Sequence, residues 1–322
     1  MHSTKRINNR AIIVGLLVIM LMAMTCYQFI NVNMKYFDFV MRLRSPKLLA
    51  MTVAAICIGS ASIMFQSVIN NRIVTPCLLG MNSLYILIHT VVVFVFGSTS
   101  TIVNNQNLAF ILDVLLMGII ATTIYGYLFR KTNYNVLYVL LIGTVLATFF
   151  GSISSTLMRI MEPNSFATLQ DSILASFNNI NTDVLVMAVV LIIGVFATFW
   201  KDIQLLDVIT LGRSQAINLG VDYDKTIQRI LMSVTLLIAI ATAVVGPISF
   251  LGLIIANISR QLFSTYKHTY LIAGSAMVGV IILVGCQLIV EHVLTYNATV
   301  SVFINIFGGI YFLYLILKTQ GA

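Results

Sequence analysis

Ten apolar stretches follow one another along this chain, at about 11–30, 48–69, 79–97, 108–129, 136–158, 183–200, 227–248, 250–263, 270–290 and 300–317. Most have the roughly 20 residues that a helix needs to cross about 30 Å of hydrocarbon. The eighth is too short to cross untilted, and only Gly246-Pro247 marks it off from the seventh. The pattern therefore predicts a helix break at membrane depth. Such a break survives only where protein buries it or where it lines a cavity. Lys5, Arg6 and Arg10 precede the first apolar run in the manner of a leader. The run continues to about Ile30 with no small-residue cleavage site, so it reads as the first transmembrane helix. The expected fold class is all-α, a polytopic membrane protein of ten transmembrane helices over residues 1–322 as a single transmembrane domain.

One segment breaks the apolar pattern. Lys201 to Arg229 carries eight charged residues yet keeps apolar ones between them: Leu205, Leu206, Val208, Ile209 and Leu211 before Gly212, then Ala216, Ile217 and Leu219. Two short amphipathic helices are expected here. Ser214 is a suitable N-cap, Gly220 a suitable stop, and Asp222 or Asp224 a cap for the next span. The segment either lies on lipid headgroups or presents apolar side chains to something outside the membrane.

Composition supports the membrane reading: 59% of residues are hydrophobic and 9% charged, against about 25% charged in soluble domains. With the N-terminus inside, thirteen of the eighteen Lys and Arg fall on the cytoplasmic side, including those of the 201–229 island. This positive-inside bias accounts for the net charge of +8 without a nucleic-acid surface. Four of the five external cations cluster at Lys35, Arg42, Arg44 and Lys47. Cys26, Cys57, Cys77 and Cys286 read as buried thiols, and His2, His89, His268 and His292 are scattered. No metal site, cofactor or catalytic constellation is expected. His89 reads as a packed or pore-side polar residue, and Asp113 as an acid near enough to its helix end to reach the interface. The chain lacks the glycine-rich phosphate loop of nucleotide hydrolases. Small residues at Gly59-Ser60-Ala61-Ser62, Gly274-Ser275-Ala276 and Gly308-Gly309 predict close helix approach.

Four segments in order carry a resemblance. They are Arg44-Ser45-Pro46-Lys47-Leu48-Leu49-Ala50; Gly59 through Gln66 with Asn71 to Gly80; Leu211-Gly212 with Ala216 and Leu219-Gly220-Val221; and Gly246-Pro247-Ile248-Ser249-Phe250-Leu251-Gly252-Leu253. Together they resemble the FecCD-type permease subunits of ABC importers for iron-siderophores, haem and vitamin B12, from about residue 10 to 318. The chain departs from that pattern at Arg72, Arg213, Ala256-Asn257, Asn297, Thr299 and Ser301.

The resemblance implies a vitamin B12-importer-like bundle in a bacterial cell membrane, with both termini cytoplasmic. It implies a second permease subunit, identical or not, and an ATPase on separate cytoplasmic subunits that grips the island. Leu211, Gly212, Arg213, Gln215, Ala216, Leu219 and Gly220 are the implied contacts, of the helix-in-groove kind. Arg44 and Lys47 match the cations that receive carboxylates of an external substrate-binding protein; otherwise they are snorkelling cations. Gly246 and Pro247 form the break or gate. The implied function is uptake of a ferric siderophore by alternating access. Haem, cobalamin or another metal chelate on the same machinery, and an ion-coupled secondary transporter, are the alternatives.

Overall fold

The computed structural model describes residues 9–132, 136–178, 180–295 and 298–320. The described residues form no strand. Their α-helices are α1 (Asn9–Phe29), α2 (Phe37–Ile69), α3 (Met81–Phe96), α4 (Thr101–Asn104), α5 (Gln106–Lys131), α6 (Val136–Ile160), α7 (Pro163–Ile173), α8 (Thr182–Ile209), α9 (Arg213–Asn218), α10 (Tyr223–Val245), α11 (Leu251–Leu262), α12 (His268–His292) and α13 (Val300–Gln320). Ten of these coincide with the ten apolar stretches. Seven are long and apolar enough to cross a membrane: α1, α2, α5, α6, α8, α10 and α12. Met81–Phe96 and the Val300–Leu315 part of α13 are apolar but shorter, and α11 has only 12 residues. The short helices α4 and α7 are not signalled by hydropathy.

The helix α2 forms the centre of the bundle, buried along most of its apolar length. It packs on α12, α10, α8 and α11. Its inner positions are small, with Ala50, Ala54, Ala55, Ser60, Ala61 and Ser62 fully buried. Where lipid offers no hydrophobic drive between helices, small residues let backbones approach and gain dispersion contacts. A Cβ on Gly252 of α11 would press on the Ser62 hydroxyl and lie 3.2 Å from Ser62 Cβ and Ile58 Cγ2, so α2 and α11 approach closely there. By contrast, α1 is peripheral, and Val14, Val18 and Met22 face outward.

Several helix starts are set by short polar side chains. Asn105 accepts from the Asn107 amide at 3.1 Å, Asn181 from Asp183 at 2.8 Å and Asp222 from Lys225 at 3.3 Å, each supplying a partner to an otherwise orphaned first-turn amide. The helix α2 begins at Phe37, eleven residues before the apolar stretch. Polarity hid this extension, and it places Arg44 and Lys47 on a helix rather than in a loop. Ile12 and Ile13 of α1 pack with Phe263 and Leu271, and Tyr311 of α13 bonds Gln261. The first part of α1 and the later part of α13 thus lie at the bundle end that carries α9.

Candidate functional site

The island is one short helix, not two. Its first apolar segment is the last turns of α8, which runs unbroken to Ile209. Continuous apolar periodicity through Leu205, Leu206 and Ile209 carries that helix past the membrane-length stretch. The N-cap of α9 is Gly212 (φ 101°) and not Ser214, which lies inside the helix. The Gly212 carbonyl already accepts from the Ala216 amide at 3.0 Å. At the other end Gly220 (φ 82°) stops α9. The amides of Gly220 and Val221 donate to Ile217 and Ala216 at 2.9 and 3.0 Å, the paired bonds of a Schellman stop. Asp222, not Asp224, caps α10. The Lys225 ammonium, hydrogen-bonded to Asp222, holds that carboxyl below the usual carboxylate range.

The outer face of this turn is apolar. Leu211, Ile217 and Leu219 are 53%, 52% and 63% exposed. Gln215 is also exposed, while Arg213 pairs with Asp224 at 2.9 Å on the surface. Ala216 is fully buried. Of the seven residues expected to face a partner it is the one turned inward. It anchors the turn.

A glycine break separates α10 from α11. The helix α10 ends at Val245, Gly246 adopts φ 83° and ψ 175°, and α11 starts at Leu251. The freed backbone groups have protein partners: Val245 O accepts from the Ser176 amide at 3.0 Å, and the Gly246 amide donates to Thr242 at 2.8 Å. Ser249 accepts from Asn82 at 3.1 Å. Pro247 follows without an amide to satisfy.

At the opposite end Arg44 and Lys47 both have intramolecular partners. Arg44 Nη1 lies 2.9, 3.3 and 2.8 Å from the carbonyls of Tyr27, Gln28 and Ile30, where α1 exposes its last acceptors. Its guanidinium also stands 5.6 Å from the Tyr27 ring centroid. Lys47 pairs with Glu291 of α12 at 3.3 Å. Glu291 further accepts from Tyr27 at 2.9 Å and Gln287 at 2.7 Å. The sequence reading missed this cluster; a lone acid at the end of an apolar helix is the signal that could have found it.

His89 and Asp113 are not independent. They meet at 3.0 Å between α3 and α5, and Asp113 is buried rather than reaching the interface. The pair lines a cavity of about 380 Å³ that also meets Tyr85, Gln106, Asn181 and Gly246. Each group supplies the other with a hydrogen-bond partner. Asn297 lies outside the described residues. Among the described residues no cluster of metal-ligating side chains occurs.

The described residues thus form a helical bundle with seven helices long and apolar enough to cross a membrane, a glycine break between α10 and α11, and an exposed apolar turn at one end. The chain belongs to the FecCD transport family, which matches residues 10–318. It is 42% identical over 308 residues to the petrobactin import system permease protein YclO of Bacillus subtilis (strain 168), covering 96% of each chain. It is 32% identical to the petrobactin import system permease protein FatC of Bacillus anthracis, covering 87% of this chain and 79% of that one. Its fold superposes on an inward-facing metal-chelate type ABC transporter with a TM-score of 0.82 and 19% identity, over 97% of this chain and 100% of the other. The vitamin B12-importer-like bundle and the ABC importer permease reading thus hold.

Proposed function

We propose that this chain is the membrane subunit of an ATP-driven importer for a ferric siderophore of the petrobactin kind. The observation that carries the substrate is the 42% identity with a petrobactin import permease, along 96% of both chains. The island end faces the cytoplasm, and an ATPase pair on separate subunits seats the turn of Leu211, Ile217 and Leu219. A binding protein delivers the chelate at the opposite end. Two permease subunits enclose the pathway, and nucleotide-driven movement of α9 opens it to each side in turn.

Growth under iron starvation tests the substrate. A deletion strain is expected to fail with ferric petrobactin as sole iron source and to recover on complementation. Undiminished growth of the deletion strain rules petrobactin out as the obligate cargo. Uptake by the purified chain alone, driven by an ion gradient in liposomes, would instead make it a secondary transporter.

The docking role of Arg44 and Lys47 has its own test. A carboxylate from the binding protein must compete with Glu291 for Lys47. Arg44→Glu with Lys47→Glu is expected to weaken binding-protein affinity for the reconstituted complex tenfold or more, an effect that shrinks at high salt. Lys47→Gln, which keeps a donor toward Glu291, separates docking from folding. Unchanged affinity in both variants removes the assignment.

A further inference from the structure

Movement of a partner-gripped turn transports nothing unless it reaches the helices at the break. Among the described residues α10 runs directly from the turn to the break, and a second, polar connection joins the end of α8 to α11. Asp207, in the last turn of α8, lies five residues before Gly212. Its Oδ1 accepts from the backbone amide of His268 at 2.9 Å and meets the His268 Nδ1. A carboxylate of α8 therefore caps the N-terminus of α12, where Lys267 supplies no side-chain cap. Because the carboxylate only accepts, Nδ1 carries the proton.

The other ring nitrogen continues the connection. His268 Nε2 meets the Ser67 hydroxyl of α2 at 2.8 Å. The same hydroxyl lies 2.8 Å from Arg260 Nη2 on α11. Arg260 Nε reaches Gln66 at 3.3 Å, and Ser259 of α11 bonds the Leu271 carbonyl of α12 at 2.9 Å. The His268 side chain is 4% exposed and the Asp207 side chain 31%, so the ring is sheltered while the carboxylate keeps partial contact with the surface. The imidazole is thus the shared partner of three elements: α8, which leads into the gripped turn; α2, the fixed centre; and α12. Through Ser67 it reaches α11, which begins five residues after Gly246.

We propose that His268 is the positioning residue that transmits displacement of the 211–220 turn to α11. These hydrogen bonds hold the end of α8 in register with α2 and α11, so a shift of α8 must carry α11 with it or break the link. This inference rests on the island being the ATPase contact.

The test uses the full complex in liposomes: permease, ATPase pair and binding protein, with ferric petrobactin carrying radiolabelled iron. The readout is iron delivered per ATP hydrolysed. His268→Ala removes both arms. His268→Asn keeps an amide near the Nδ1 position and only the Asp207 arm, and His268→Gln keeps one near Nε2 and only the Ser67 arm. All three are expected to lower the ratio at least fivefold, with ATPase co-purification and basal hydrolysis within twofold of wild type. Asp207→Asn combined with His268→Ala should fall no more than twofold below the single alanine variant, because both break one link. A ratio within twofold of wild type for His268→Asn overturns the proposal, since His268 would then only secure the start of α12. Equal loss of hydrolysis and uptake, or failure of all three variants to fold, overturns it too, because the link would then hold the fold itself. Failure of the wild-type ATPase to co-purify instead sinks the reading of the island, and absence of wild-type uptake with intact hydrolysis sinks the choice of siderophore.

Discussion

Gly246→Leu is expected to leave at least tenfold less folded permease in the membrane, with iron uptake falling in parallel. Two separate penalties act at this residue. Its φ of 83° and ψ of 175° lie in a region essentially restricted to glycine, where another residue costs about 1–3 kcal/mol. A Cβ built there would lie 2.7 Å from the Ala175 Cα and 3.0 Å from its amide nitrogen. That neighbour is backbone and cannot swing aside, so overpacking adds roughly 1–3 kcal/mol. Displacing Ala175 also threatens the bond from the Ser176 amide to Val245 O, which satisfies the carbonyl of a buried residue. Gly246→Ala should show a smaller loss of the same kind. Gly194→Leu is the control, because a Cβ there meets nothing within 4 Å. Thermal melting in detergent and quantitative blotting of membranes give the readout. Wild-type levels and uptake for Gly246→Leu would mean that the break is not held as described.

Leu219→Glu is expected to keep the fold and lose the partner. The side chain is 63% exposed and contributes little to the core, so expression and melting should match wild type. If an ATPase groove receives the turn, the change removes about 1.5–3 kcal/mol of side-chain burial and sets an unpaired carboxylate in an apolar contact, which costs more. Co-purification of the ATPase should fall about a hundredfold and uptake with it. Ala216→Glu makes the opposite comparison. That position is fully buried, so the substitution should harm folding itself. Normal ATPase binding by Leu219→Glu would show that the turn rests on something else.

The two variants also mark what was legible from residues alone. Gly246-Pro247 between apolar runs announces a break, because proline cannot donate and glycine relaxes the backbone. The identity of the atoms pressing on Gly246 was not legible, because Ala175 is 71 positions away and carries no distinctive chemistry. Likewise the glycines bounding 212–220 announce a turn, and Gly220 forms the expected stop. Which apolar residues face outward was not legible, because six helical residues are too few to define a stripe. The start of α9 differs from the Ser214 cap expected of the sequence for a local reason: Gly212 accepts the first helical bond, which leaves Ser214 inside. His89 and Asp113, 24 residues apart, read as unrelated until α3 and α5 brought them within 3.0 Å.

By itself the sequence determined that this chain lives in a membrane, how many apolar helices it forms, where one of them breaks, and which family's order of motifs it follows. Those properties are local or compositional: solvation of each stretch depends on its own side chains, and caps and glycines act within one turn. Only the tertiary structure decided that Arg44 and Lys47 already hold internal partners, that Ala216 faces inward, and that Asp207, His268, Ser67 and Arg260 form one connection. These depend on which helix faces lie together, and in an apolar bundle that choice is made by small-residue fit and by the few polar groups that must find one another away from water.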